Sequence, residues 1–139
     1  MEHIAYCDAK AKELQNLLNG SKTMLIRGAA GRKLPHGRVA EGEVVYLLEN
    51  DSSGTIRAQG TVSNAFHSDK LTPEESGRII EENMNQLKLT EAQKKRWTGK
   101  RYLCLIELKD VQEIKPFSYV REKNMDDWIT VESVKDVME

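Results

Sequence analysis

The sequence predicts an α+β domain built on a small, mostly antiparallel β-barrel, with an N-terminal helix and a helical insertion. Segments with the two-residue alternation of strands stand on both sides of residues 72–98, a stretch that carries helix-capping signals. The strands are not separated by regular helices, as they are in a doubly wound parallel sheet. With 139 residues, the chain has the usual size of one domain, which we expect to span residues 1–139.

The first half of the chain predicts one helix and three strands. The helix is expected from about Ala9 to Asn19, with Asp8 as its cap and Gly20 at its end. Gly60 indicates a bulge or a bend within the third strand. The three strands are predicted at residues 23–27, 42–50 and 55–63.

The second half begins with the insertion. "TPEE" at residues 72–75 forms a capping box with proline at the first helical position, and we expect its helix to reach Leu87. "TEAQ" at residues 90–93 repeats the capping box for a shorter helix. A long strand, a short strand around residues 128–131 and a terminal helix are expected to complete the chain.

The composition excludes several classes of protein. With 39% hydrophobic and 31% charged residues the chain is globular, and its net charge of −1 gives no overall attraction to nucleic acid. It lacks a secretory signal and a membrane-length apolar run, so we expect a cytoplasmic protein with no membrane partner. Cys7 and Cys104 are then expected to be free thiols. The three histidines share no ligand spacing, so no metal site and no cofactor are expected.

Residues 19–39, "NGSKTMLIRGAAGRKLPHGRV", form a basic segment that contains five lysines and arginines and no acid. A phosphate-binding P-loop needs a helix directly after its lysine, whereas Arg32 interrupts the motif and Pro35 follows it. The residues 28–31 match the GXXG loop of a KH domain, but that loop joins two helices and here a strand precedes it. The P-loop interpretation is therefore rejected, and the four-residue match to a KH loop is weak.

The same segment resembles the ASCH family of the PUA-like superfamily. Gly20, Lys22 and Arg27 fit the family pattern G-x-K-x-x-E-x-R, and "GRVAEGEVVYLL" is similar to the second strand of that family. "KRYLCLIELKDVQEI" resembles the long return strand of PUA-like folds, so the resemblance covers about residues 9–116. It implies a PUA-like barrel that binds RNA or modified nucleobases in a cleft beside the barrel.

Leu25 stands at the glutamate position of the family pattern. Since alternate strand residues share a face, Arg27 lacks a neighbouring carboxylate and is freer to hold a phosphate or a base edge. Alternatively, Leu25 belongs to the core and Arg27 is a solvated residue at the strand end that is paired elsewhere. Some small ASCH proteins are amidohydrolases, and this implies catalytic candidates at Lys22 and, by loose similarity, Glu82. The threonine of that activity falls on Leu25, which has no hydroxyl group.

A second basic segment, "KKRWTGKRY" at residues 94–102, surrounds Trp97 and Tyr102 with five basic residues. Cations beside aromatic rings suit phosphate contact and base stacking. Alternatively, the cations simply favour the end of a helix and Trp97 packs inward. If both basic segments surround one cleft, they form a single anion-binding face.

These observations predict a domain that binds RNA or a modified nucleoside or nucleotide, with a monomer as the default state. Two alternatives stay open. One is a small amidohydrolase acting on acylated nucleosides, with Lys22 and Glu82 in acid/base roles. The other is a protein-interaction module whose basic loop meets an acidic partner. The predicted ligand-binding residues are Lys22, Arg27, Arg32, Lys33 and Arg38.

Overall fold

The computed structural model describes residues 1–120 and 127–139 of the chain. In this part of the chain, six strands form one sheet and four α-helices pack against it. The strands are β1 (Glu2–Cys7), β2 (Met24–Ala29), β3 (Val44–Glu49), β4 (Thr55–His67), β5 (Tyr102–Ser118) and β6 (Trp128–Val131). The helices are α1 (Glu13–Leu18), α2 (Pro73–Glu82), α3 (Met84–Leu87) and α4 (Glu91–Trp97).

The sheet has the strand order β2-β5-β4-β3-β1-β6 and curls into a half-barrel. Only the pair of β1 and β3 is parallel among the described strands, so the predicted, mostly antiparallel pairing is confirmed. The register between β4 and β5 shifts by one residue at Gly60, but the extra residue lies on β5, so the bulge expected within the third strand is in the strand opposite Gly60. The curled sheet is consistent with the predicted PUA-like barrel.

Strand β1 was not predicted from the sequence. It lies between β3 and β6, and its residues 3–7 are all buried. A strand that is covered on both faces has no alternation of polar and apolar residues, so the pattern of a half-exposed strand is missing.

Helix α1 is shorter than predicted, because it begins at Glu13 rather than Ala9. Lys12 precedes it in the left-handed conformation, with φ of 54°, and provides no side-chain cap. The expectation that Asp8 caps the helix is therefore wrong. Its Oδ1 accepts a hydrogen bond from the Ala11 amide at 3.2 Å, within the turn before the helix.

Both predicted capping boxes are present, at Thr72 and Thr90. The single helix expected to reach Leu87 is instead divided into α2 and α3 at Asn83. The Asn83 side-chain amide donates to the Ile79 carbonyl at 2.8 Å. This side-chain bond competes with continued helical bonding, which accounts for the break. The short strand expected near residue 128 is confirmed as β6, and the terminal helix is a single 3-10 turn, Val134–Asp136.

Both faces of the sheet are buried near β2, and this places the basic segments. Leu25 packs with Trp128 in the cluster inside the curled sheet. Met24 and Ile26 point the other way, against the insertion helices and Trp97. The start of β5 lies beside the end of β2, since Gly28 is opposite Leu103. No helix in the described ranges 1–120 and 127–139 is long and apolar enough to cross a membrane.

Candidate functional site

The two basic segments line one cleft, which we call the basic cleft. It forms because β2 pairs with β5, so that the loop after β2 faces the end of α4 and the start of β5. It is partly open to solvent and has a cavity volume of about 140 Å³. The first segment contributes Arg27, Gly28, Ala29, Gly31, Lys33, Leu34 and His36. The second contributes Arg96, Trp97, Lys100 and Tyr102, and Cys104 of β5 and Asp127 complete the lining.

Gly28 allows the two strands to approach closely at the floor of the cleft. A Cβ atom at this position would lie 2.8 Å from Leu103 Cδ2 and 3.1 Å from the Tyr102 carbonyl oxygen. The first contact is closer than real Cβ atoms make and would require the Leu103 side chain to shift, and the second is tight, so the position favours glycine. The close approach keeps main-chain atoms, rather than a side chain, at the surface of the cleft.

Tyr102 and two histidines hold the loop that follows β2. The Arg32 guanidinium lies 5.6 Å from the centre of the Tyr102 ring, and the His36 ring meets the same ring edge-on at 5.5 Å. His36 Nε2 hydrogen bonds to the Ser68 carbonyl at 2.7 Å. His67 Nδ1 accepts from the Gly37 amide at 3.0 Å. The loop is therefore tied to both β4 and β5.

Arg27 is a fixed wall of the cleft, with only 7% of its surface exposed. Its Nη1 donates to the carbonyl of Ile26 and its Nη2 to the carbonyl of Tyr6, both at 2.7 Å. Its buried Nε donates no hydrogen bond, although it lies 3.3 Å from Asp127 Oδ2 as an ion pair. The carbonyls hold the guanidinium in place, and Nε stays close to the carboxylate without donating a hydrogen bond to it.

Asp127 pairs with a second arginine through the same oxygen. Arg96 Nη2 lies 3.5 Å from Asp127 Oδ2, and the guanidinium of Arg96 covers the Trp97 ring at 4.3 Å. The side chain of Arg96 is 62% exposed and that of Asp127 is 38% exposed. Asp127 is the one carboxylate among the described residues that line the basic cleft.

A second cleft, which we call the acidic cleft, lies on the other side of this ion-paired group. It is partly open to solvent, has a cavity volume of about 200 Å³ and shares Arg27, Arg96, Trp97 and Asp127 with the basic cleft. Its other lining residues are Tyr6, Asp8, Glu13, Ile26, Asn50 and Gln93. The pairing of Asp127 with both arginines therefore separates a basic from an acidic cavity.

Lys22 is buried behind the acidic cleft, with 2% of its surface exposed. Its Nζ lies 3.3 Å from Glu13 Oε2 and donates to the Leu87 carbonyl. Gln93 Nε2 donates to the same Glu13 oxygen at 3.1 Å. Burial lowers the pKa of the Lys22 ammonium below its ordinary value, while Glu13 raises it. The lysine thus links α1 to α3 across the interior.

The structure brings together some of the predicted site residues and not others. Arg27 and Lys33 line the basic cleft, and Arg32 lies on the Tyr102 ring beside it. Lys22 and Arg38 do not line it. Glu82 is exposed at the end of α2, and it forms no hydrogen bond or ion pair with Lys22.

Sequence reasoning missed one carboxylate of the site, Glu13, and did not identify the arginine partners of another, Asp127. Glu13 precedes Leu17 by four residues and so lies on the apolar stripe of α1, a position that signals burial. The pairing of Asp127 with Arg27 gave no such signal, because the two residues are far apart in the chain. The second basic segment was identified from the sequence, and four of its residues, Arg96, Trp97, Lys100 and Tyr102, line the basic cleft.

Thiol and metal chemistry receive no support from the described residues. Both cysteines are free and buried, and burial raises the pKa of Cys104 to about 12. Its thiol therefore stays protonated at neutral pH, although Cys104 lines the basic cleft. No group of three histidine, cysteine, aspartate or glutamate residues within 1–120 and 127–139 is placed to hold a metal ion.

Comparisons with family models and with curated proteins found no match. Solved structures of an ASCH protein from Zymomonas mobilis do resemble the chain. A serine-to-alanine variant aligns over 97% of this chain and 91% of its own, with 11% identity and a TM-score of 0.71. The unsubstituted protein covers 84% of this chain and 73% of its own, with 15% identity and a TM-score of 0.63.

A tyrosine-to-phenylalanine variant of the same protein gives 15% identity and a TM-score of 0.63 over 84% of this chain and 75% of its own. Identities this low show the fold alone. The resemblance noted in the sequence is thus confirmed at that level, and the chain has the fold of an ASCH domain.

Proposed function

We propose that the chain binds RNA or a modified nucleoside or nucleotide in the basic cleft. The observation that carries this proposal is the convergence of two basic segments, distant in sequence, on one cavity. Cations clustered beside aromatic rings are the combination that contacts phosphates and stacks bases. Because the net charge of the chain is −1, this clustering, rather than overall charge, supplies the attraction.

Each part of the cleft has a role in this proposal. Lys33, Lys100 and Arg96 contact phosphate oxygens, which position the ligand without selecting a base. Arg32 and Tyr102 form a stacked pair on which a base packs. The glycine-rich loop brings main-chain N–H groups close to the ligand, since Gly28 and Gly31 present no side chain.

The test compares RNA binding by the wild type and by a Lys33→Ala/Lys100→Ala double variant over a series of salt concentrations. For single-stranded RNA, loss of two phosphate contacts reduces the slope of log affinity against log salt by about 1.4. A Lys109→Ala/Lys115→Ala variant is the matched control, because both lysines are exposed on β5 and neither lines the basic cleft. Equal slopes for the two double variants would overturn the proposal.

The amidohydrolase alternative assigns acid/base roles to Lys22 and Glu82. Lys22 is buried and paired with Glu13, and Glu82 is exposed, which favours binding over this alternative. Turnover of acylated nucleosides that is lost in a Lys22→Ala variant, with folding retained, would reverse that preference. Recovery of an acidic protein partner without nucleic acid would instead favour an interaction module.

A further inference from the structure

The carboxylate of Asp127 lies where two arginines converge at the wall of the basic cleft. Its Oδ2 is 3.3 Å from Arg27 Nε and 3.5 Å from Arg96 Nη2. Two guanidinium groups that face one oxygen form an arrangement suited to phosphate as well as to carboxylate. The buried Nε of Arg27 donates no hydrogen bond here, so one strong donor in the cleft wall has no acceptor.

The Asp127 contacts are weak enough to be replaced. Both distances are long for charged hydrogen bonds, and Arg96 is 62% exposed, so water screens its pairing. Arg27 keeps its position without the carboxylate, because its two Nη atoms are bound to main-chain carbonyls. The main chain of Asp127 also stays in place, since its carbonyl accepts from the Tyr6 amide at 2.9 Å. Rotation of one partly exposed side chain is thus sufficient to free the site.

We propose that Asp127 is the resident occupant of an anion subsite, and that a phosphate group of the ligand displaces it to bridge Arg27 and Arg96. This inference rests on the proposed function and narrows its ligand class. A neutral nucleoside cannot replace the carboxylate between two guanidinium groups, whereas a phosphate can. The basic cleft therefore selects phosphate-bearing nucleotides or RNA over free nucleosides. Asp127 lowers the affinity for the phosphate group, because its carboxylate competes for the same two arginines.

The test measures binding of inorganic phosphate by titration calorimetry at constant ionic strength. An Asp127→Asn variant removes the competing charge, and we expect it to bind phosphate about three- to tenfold more tightly than the wild type. A Glu132→Gln variant is the matched control, because it loses one negative charge from an exposed residue near β6 that lines neither cleft. Equal or weaker binding by the Asp127 variant than by the control would overturn the inference.

Two further measurements separate a local subsite from a general change in charge or folding. Adding Arg96→Ala to the Asp127→Asn variant should remove the gain in phosphate affinity, because the exposed arm of the subsite is lost. A thermal unfolding curve shows whether each variant is folded, and phosphate should raise the Tm of the Asp127 variant more than that of the control. Retention of the gain without Arg96 would contradict the inference.

The same titrations are repeated with a nucleoside, its 5′-monophosphate and an oligonucleotide without terminal phosphates. If Asp127→Asn increases the affinity for the monophosphate alone, the subsite binds a terminal phosphate. If it also increases the affinity for the oligonucleotide, the subsite binds a phosphodiester. An equal gain for the neutral nucleoside would overturn the inference. The Lys33→Ala/Lys100→Ala variant tests the proposed function independently of this inference, because it leaves Asp127, Arg27 and Arg96 unchanged.

Discussion

Loss of the Glu13 carboxylate should strongly destabilise the fold, because it leaves the Lys22 ammonium buried without an anion. Lys22 is 2% exposed and Glu13 is 5% exposed, so water cannot replace the missing partner. Breaking a buried ion pair from one side costs about 3–5 kcal/mol. In a Glu13→Gln variant, the Leu87 carbonyl still accepts from Lys22 and the new side chain still offers a polar amide oxygen. We therefore expect the free energy of unfolding to fall by about 3 kcal/mol, the lower end of this range.

The pH dependence of this loss follows from the Lys22 pKa. Burial lowers it below its ordinary value of 10.5, and removing Glu13 takes away a group that raises it. Between the folded-state pKa and 10.5, the unfolded chain binds more protons than the folded chain, so stability rises with pH. The deficit of the Glu13→Gln variant is therefore full below the folded-state pKa and shrinks as the pH approaches 10.5.

Urea unfolding followed by circular dichroism measures the free energy of unfolding at neutral and at alkaline pH. The double variant Glu13→Gln/Lys22→Met removes both charges and should lose much less stability than Glu13→Gln alone. A cost below about 1 kcal/mol for the single variant, as for a surface pair, would refute the reasoning. So would a deficit that does not depend on pH.

Two further predictions concern the floor of the basic cleft and the buried histidine of β1. Gly28→Ala should lower stability by about 1–3 kcal/mol and lower the Tm, because its Cβ would meet Leu103 at 2.8 Å. Gly31→Ala is the control, since nothing lies within 4 Å of its Cβ, and equal Tm values would show that the close approach is unimportant. His3 is fully buried, and this burial lowers the pKa of its imidazole below 6.5. Its Nδ1 accepts a hydrogen bond from the Trp128 indole at 3.2 Å. The contribution of neutral His3 to stability is present above about pH 6.5 and is lost as the pH falls through its lowered pKa. A His3→Gln variant should therefore lose less stability on acidification than the wild type, and identical stability profiles in acid would contradict this.

The sequence predicted the features that depend on nearby residues. Both capping boxes and the strand at residues 128–131 follow from short patterns and were confirmed, and Gly60 marks a shift of register whose extra residue lies on β5. Long-range pairing could not be predicted in this way. Arg27 looked free because Leu25 replaces the expected glutamate, yet its anion is Asp127, from the far end of the chain. The alternative was right that Arg27 is paired elsewhere and wrong that it is solvated, since only 7% of its surface is exposed.

In the candidate site, too, the features that depend on nearby residues were predicted and the contacts between distant residues were not. The two basic segments were recognised from composition, but only the pairing of β2 with β5 makes them neighbours. Lys22 fits the family spacing, and nothing in its segment indicates that its ammonium is buried against Glu13. Charge, spacing and residue type thus predict which segments are functional candidates, while burial depends on contacts between distant elements.

The position of β1 between β3 and β6 has a consequence for the order of folding. Its partners include β6, so that Glu2 pairs with Val131 across almost the whole chain. Closing so long a loop costs more chain entropy than pairing β3 with β4 or β4 with β5, which are consecutive strands in the chain. We therefore expect β6 to pair with β1 after β3, β4 and β5 have paired. Substitutions that weaken the β1–β6 contact should then accelerate unfolding while leaving the refolding rate almost unchanged.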